Sequence, residues 1–242
     1  MRKAKSPPAT QPETADITQL GLVDQDNHLW LKFWRDERSD FHQSAVNPLL
    51  SRFWPGLQLV HGSRVFVPLC GKSLDMLWLA QQGHDVLGVE LSPVAVESFF
   101  RENNLHPTKK KMGSFILWND GMLSILCGDY FALTLSDIGH LDTVYDRSAL
   151  TALPENIRSL YVAQLRRLVS DTAVVFLLTV EDAAENATMK QANAIDEEIK
   201  TLYSEKFKIA LTHVESVFDP DPESAGLPER RAEHKVYRLS SK

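Results

Sequence analysis

The sequence predicts a doubly wound α/β fold with a mostly parallel sheet, on three observations. From Arg64 onward, short apolar runs alternate with helix-period patterns. Those runs are apolar almost throughout, as in parallel strands buried on both faces. Near the C-terminus, "FKIALTHVESV" and "EHKVYRLS" instead alternate with period two, the pattern of an antiparallel pair added to the sheet.

Taken in chain order, the first residues, "MRKAKSPPATQPETAD", are basic, then rich in Pro, Thr and acid, with no apolar stretch of a signal peptide. They read as a disordered tail over 1–23, a weak targeting segment being the alternative; residues 24–242 read as one domain. In "DNHLWLKFWRDE", Leu29, Trp30, Phe33 and Trp34 fall at helical spacing. This aromatic helix either packs onto the domain or also walls a ligand pocket, as an N-terminal helical lid.

Strands are expected at Arg64 to Leu69, Asp85 to Glu90, Leu123 to Cys127, Leu141 to Asp146 and Thr172 to Val180. Helices are expected at Ser73 to Gln82, Pro93 to Asn104 and Pro154 to Ser170; in the last, Ile157, Leu160, Tyr161, Leu165 and Leu168 share a face. "FILWNDGMLSILC" carries a hairpin signal at Asn119-Asp120-Gly121, ahead of the third core strand.

The chain has 242 residues, 43% of them hydrophobic, enough for one large domain with decorations. Its net charge of −6 offers no basic field for nucleic acid or anionic lipid, so a small-molecule partner is expected. Two cysteines, Cys70 and Cys127, make no disulfide framework and no metal site, and they suit a reducing, cytoplasmic setting. No apolar run reaches the roughly 20 residues of a membrane span. Nothing resembles a coiled coil, so a monomer is expected.

In a doubly wound sheet the ligand sits at the C-terminal strand ends, beside the first strand. There the sequence reads "RVFVPLCGKSLDMLWL". A phosphate loop of the G-x-x-x-x-G-K-[ST] type needs a glycine five residues before Gly71, and that residue is Phe66. A dinucleotide turn needs three glycines where this one has a single glycine. A nucleoside without phosphates fits better, with one close backbone approach at Cys70-Gly71 beside Leu69.

Glu90 ends the second strand, where a carboxylate accepts hydrogen bonds from both ribose hydroxyls; an exposed strand-end glutamate is the alternative. Asp129 follows the third strand in "CGDY" and is placed to accept from an adenine amine, with Tyr130 giving backbone or ring contacts; Gly-Asp is also a common turn pair. In "YDRSAL", Asp146 and Arg147 end the fourth strand, facing the cleft of a second substrate, with a structural salt bridge as the alternative for Asp146.

Several blocks together resemble the thiopurine S-methyltransferase family of class I S-adenosylmethionine-dependent methyltransferases. They are "WLKFW", "DFHQ", "RVFVPLCGKSLDMLWLA", "GHDVLGVELS", "FFRENNL" and "YDRSAL", in order over about Leu29 to Ser170. The resemblance implies a Rossmann-like methyltransferase fold of the seven-stranded type, with S-adenosyl-L-methionine as cofactor. It implies cofactor contacts at Trp30, Trp34, Leu69, Glu90, the Asp129-Tyr130 pair and Arg147, and an acceptor contact at Phe41. Trp30 and Trp34 then cover the methionine part, where aromatic faces favour the sulfonium charge.

The implied reaction is methyl transfer to the sulfur of a small aromatic or heterocyclic thiol, with selenium and tellurium compounds as further acceptors. Arg147 is the candidate for favouring the acceptor anion, and His42 the candidate base, with a structural role as its alternative. The competing readings are a related methyltransferase acting on a natural product or halide, and a non-catalytic cofactor-binding module. After Val180 the family's Pro/Gly-rich segment is replaced by "TVEDAAENATMKQANAIDEEI", for which a helical lid is expected.

Overall fold

The computed structural model describes residues 17–37, 42–183, 194–219 and 230–242. Its strands are β1 (Arg64–Val67), β2 (Asp85–Glu90), β3 (Thr108–Met112), β4 (Phe115–Asp120), β5 (Leu123–Cys127), β6 (Thr143–Arg147), β7 (Val174–Ala183), β8 (Phe207–Asp219) and β9 (Arg230–Ser241). The helices are α1 (Ile17–Arg35), α2 (Pro48–Phe53), α3 (Asp75–Gln81), α4 (Pro93–Glu102), α5 (Leu135–Ile138), α6 (Ala149–Ala152), α7 (Glu155–Leu168) and α8 (Ala194–Tyr203).

Among the described residues these strands form one nine-stranded sheet in the order β3-β4-β5-β2-β1-β6-β7-β9-β8. The five strands from β5 to β7 run parallel. The outer strands on both sides pair antiparallel. The seven strands from β5 to β8 fit the expected type, and the β3-β4 hairpin adds two more.

Alternation along the strands builds two cores, because successive side chains point to opposite faces. Val65 and Val67 of β1 pack with Met76 and Leu79 of α3 and Val96 and Phe99 of α4. Phe66 faces the other way, into a cluster with Tyr161 and Leu165 of α7 and Ile199 of α8. Helices on both faces make the fold doubly wound, as expected.

Local chemistry starts and stops the elements. Ser92 accepts a hydrogen bond from the Ala95 amide at 3.3 Å, and Pro93 opens the first turn of α4, whose missing N–H costs nothing there. Asp146 lies wholly buried at the end of β6, accepting from the Ala149 amide at 3.1 Å and the Tyr161 hydroxyl at 2.7 Å. The salt bridge considered for Asp146 gives way to these two bonds, and its side chain serves the β6-α6 corner. Burial pushes its carboxyl up to about 6, against the pull of the Tyr161 hydroxyl.

Several expectations are corrected. The first helix starts at Ile17, so Ile17 to Val23, assigned to the tail, are helical. β1 ends at Val67 because Leu69 takes a positive φ of 47°, outside strand geometry. α3 starts at Asp75, leaving Lys72 and Ser73 in the preceding turn. β7 continues past Val180 to Ala183, and the next described residues, from Ala194, are helical; 184–193 of the expected helical lid lie outside the described residues. α8 turns Ile195, Ile199 and Tyr203 into the core beside α7, with Arg158 and Glu198 paired at 2.8 Å, so it is a packing element of that face.

Candidate active site

A cavity of about 610 Å³ opens at the C-terminal ends of β1, β2, β5 and β6. That volume suits a small molecule largely enclosed by protein. Trp30, Trp34, His42, Leu69, Cys70, Gly71, Glu90, Asp129, Tyr130 and Arg147 all line it. Phe41 lies outside the described residues.

The turn after β1 carries left-handed backbone. Leu69 and Gly71 have φ of 47° and 53°, and Ser148, after β6, has 59°. Positive φ costs a non-glycine residue on the order of 1–2 kcal/mol, so the Leu69 and Ser148 corners are held by their surroundings. The Cys70 amide donates to Val89 O at 3.0 Å, and the Ser148 amide to Leu178 O at 2.9 Å. At Gly71 a Cβ would lie 3.2 Å from the Trp34 ring. The glycine thus meets two demands at once, left-handed backbone and close approach of the aromatic helix.

Glu90 is buried at the cavity floor. Its Oε2 accepts from the Gly71 amide at 2.9 Å and its Oε1 from the Ser92 amide at 2.7 Å. Burial nevertheless raises its carboxyl to about 7, with those amides pulling it down. An ionised carboxylate has about four acceptor positions, and those that backbone amides do not fill are left for hydroxyl donors from a ligand. The exposed strand-end alternative for Glu90 is excluded by its burial.

Asp129 caps a short 3-10 turn by accepting from the Phe131 amide at 2.9 Å, and it also accepts from Asn27 Nδ2 at 3.4 Å. Turn and cavity roles therefore coexist. Tyr130 is different: its ring packs on Tyr161 and its hydroxyl donates to Tyr161 O at 3.0 Å. Tyr130 thus lines the cavity with a side chain anchored in the core.

Cys70 contributes backbone, since a Cβ on Gly88 would lie 2.7 Å from its sulfur. Burial drives the Cys70 thiol well up and the Cys127 thiol to about 11, so both stay neutral near pH 7. Burial, then the charge of Lys72, lowers His42, which leaves a neutral imidazole able to accept a proton. Arg147 faces Asp75, its Nε 2.9 Å from Oδ2, and its Nη2 donates to Ser73 Oγ at 3.3 Å.

Sequence reasoning missed Asp26, Asn27, Gln43 and Phe131 in the lining. Asp26 is buried, which raises its carboxyl, and it is hydrogen-bonded by Trp30. One signal pointed to it: Asp26, Trp30 and Trp34 recur every four residues on one helical face.

Solved structures agree on the class. A SAM-dependent methyltransferase from Anabaena variabilis superposes with a TM-score of 0.59 at 15% identity, over 89% of this chain and 95% of that one. The fold is that of the class I S-adenosylmethionine-dependent methyltransferases. Sequence narrows this further. The family model for thiopurine S-methyltransferase matches residues 25–242. A thiopurine S-methyltransferase of Stutzerimonas stutzeri is 63% identical over 91% of this chain and 93% of its own length. One from Methylococcus capsulatus is 40% identical over 88% and 97%. This chain belongs to the thiopurine S-methyltransferase family, and S-adenosyl-L-methionine is its cofactor.

Proposed function

We propose that this enzyme methylates the sulfur of a small heterocyclic or aromatic thiol, with selenols as further acceptors. The observation that carries the reading is the pairing, in one cavity, of a buried ribose-type carboxylate, Glu90, with a fixed cation, Arg147. The cofactor supplies an electrophilic methyl on a sulfonium sulfur; as the acceptor's carbon–sulfur bond forms, the donor's breaks, and thiolate and sulfonium charges cancel.

The chain's own residues do the rest. Glu90 takes the ribose hydroxyls on its remaining lone pairs, and the Leu69 to Gly71 turn brings backbone against the methionine part. Trp30 and Trp34 close the cavity from α1, excluding water and offering aromatic faces to the sulfonium. Asp129 takes the adenine amine. Arg147 favours the anionic form of the acceptor and orients it, and neutral His42 receives the thiol proton where the acceptor is not already ionised. Alignment of sulfur, methyl and leaving sulfur is the main catalytic contribution.

Among the described residues no helix is long and apolar enough to cross a membrane. Both cysteines are free and buried, which suits a cytoplasmic enzyme, and we place it there as a monomer. The test is an acceptor screen with labelled donor across thiols, selenols, phenols and amines. Label on thiols alone, or on thiols and selenols, supports the reading; transfer to oxygen or nitrogen acceptors without sulfur overturns it.

A further inference from the structure

Asp75 opens α3 behind the cavity wall and is 1% exposed. Every atom of its carboxylate is engaged. Oδ1 accepts from the Asn47 amide at 2.7 Å; Oδ2 accepts from the Tyr145 hydroxyl at 2.8 Å and faces Arg147 Nε at 2.9 Å. Its own amide lies 3.3 Å from Ser73 Oγ, the oxygen that also receives Arg147 Nη2. Three separate chain segments therefore meet on one charge: the stretch from His42 to Asn47, the helix α3 and the end of β6.

That arrangement does more than the packing of a buried acid needs. A buried carboxylate is satisfied by hydrogen bonds alone, as Asp146, next to Tyr145 in β6, shows. Asp75 also faces, on the oxygen that accepts from Tyr145, a cation whose side chain is 17% exposed and lines the cavity. Its other oxygen holds the segment that carries His42 and Gln43, the opposite part of the same wall. An arginine has long, flexible rotamers, so one ion-paired at Nε and hydrogen-bonded at Nη2 presents its remaining donors in far fewer directions.

We propose that Asp75 is a positioning residue for the methyl acceptor, fixing Arg147 and the His42 to Asn47 segment in register through one carboxylate. The inference rests on the proposed acceptor role of Arg147. Asp75 touches neither cofactor nor acceptor; it acts through the guanidinium. The cofactor-holding residues Glu90 and Gly71 are tied to each other by their own bond and stand outside this network.

The test is a double-mutant cycle of Asp75→Asn and Arg147→Met, read as kcat/KM for a heterocyclic thiol and as Kd for the cofactor product. Each single change is expected to lower kcat/KM about tenfold or more and by a larger factor than it weakens the cofactor product, with Asp75→Asn leaving that Kd within about twofold of the parent. In the Arg147→Met background, Asp75→Asn is expected to cost nothing further. Should Asp75→Asn fail to fold, Asp75→Glu, which keeps the charge and shifts it by one methylene, is read by the same split. Additive losses, or a fall in cofactor affinity that tracks the fall in kcat/KM, overturn the proposal and leave Asp75 a structural residue. Absence of thiol methylation by the parent enzyme would take down the proposed function, and this inference with it; parental activity with an additive cycle sinks the inference alone.

Discussion

The Gly71 amide donates to Glu90 Oε2 at 2.9 Å, tying the turn after β1 to the end of β2 across the cavity floor. The carboxylate that would receive a ribose is thus already oriented before any ligand arrives, at the cost of burial that raises it to about 7. Preorganisation and proton affinity are linked here, and they set the first prediction.

Between the ordinary glutamate value, 4.5, and about 7, the folded protein holds a proton on Glu90 that the unfolded chain has released. Stability contributed at this site therefore falls as pH rises through that window, by about 3 kcal/mol in all. Cofactor binding runs the other way, because ribose hydroxyls favour the ionised form. Affinity should weaken as pH drops below about 7, approaching tenfold per pH unit, with proton release on binding. Calorimetry in buffers of different ionisation enthalpy measures both; Glu90→Gln should weaken binding and flatten the pH dependence. A pH-independent affinity in the parent would remove the ribose assignment.

Gly71→Ala adds a Cβ at a φ of 53° and within 3.2 Å of the Trp34 ring. The backbone cost is about 1 kcal/mol, and the ring must also move. Thermal unfolding should shift down by a few degrees, and cofactor affinity should fall more than stability does. An unchanged affinity would show that Trp34 does not cover the cofactor.

Tyr161→Phe removes the hydroxyl that donates to Asp146 at 2.7 Å. Asp146, normally 3.8, stands at about 6, so its native form holds an extra proton between those values and stability falls as pH rises through them. Losing a donor to the ionised form should cost about 1–3 kcal/mol near pH 8 and clearly less near pH 4. Urea unfolding at the two pH values reads the difference. Equal losses at both would mean the hydroxyl acts by packing alone.

His42 is held neutral by burial and by the Lys72 charge. If it receives the thiol proton, His42→Asn should slow transfer to weakly acidic aliphatic thiols at least about tenfold while barely affecting heterocyclic thiols already ionised. Steady-state rates across a series of thiol acidities test this. A uniform loss across the series would assign His42 to structure.

How much of this was legible depends on what each residue answers to. β2 and β5 read end to end, because buried parallel strands need apolar side chains at nearly every position, and "DVLGVE" and "LSILC" supply them. β3 was not read: "TKKKM" is an exposed edge strand whose lysines carry no apolar signal and whose pairing is imposed by β4. Glu90 and Gly71 were visible through their spacing along one strand–turn–helix unit. Asp75 was not, since its partners Asn47, Tyr145 and Arg147 lie far away in sequence and meet only once the sheet has formed. The aromatic stripe of α1 is legible in the sequence, whereas Asp26 on the same face is set apart from a surface acid only by its burial. The segment after Val180 reads as helix by composition, yet only packing against α7 shows that α8 belongs to the core.

Methyl transfer to sulfur is decided by a heterocyclic thiol that also carries ring nitrogens, incubated with donor labelled at the methyl carbon. Magnetic resonance of the purified product then reports which atom bears the label. The expected product carries the labelled carbon on sulfur only and forms at a rate that depends on Arg147. Label on a ring nitrogen, or donor bound and never consumed with any acceptor, would contradict it.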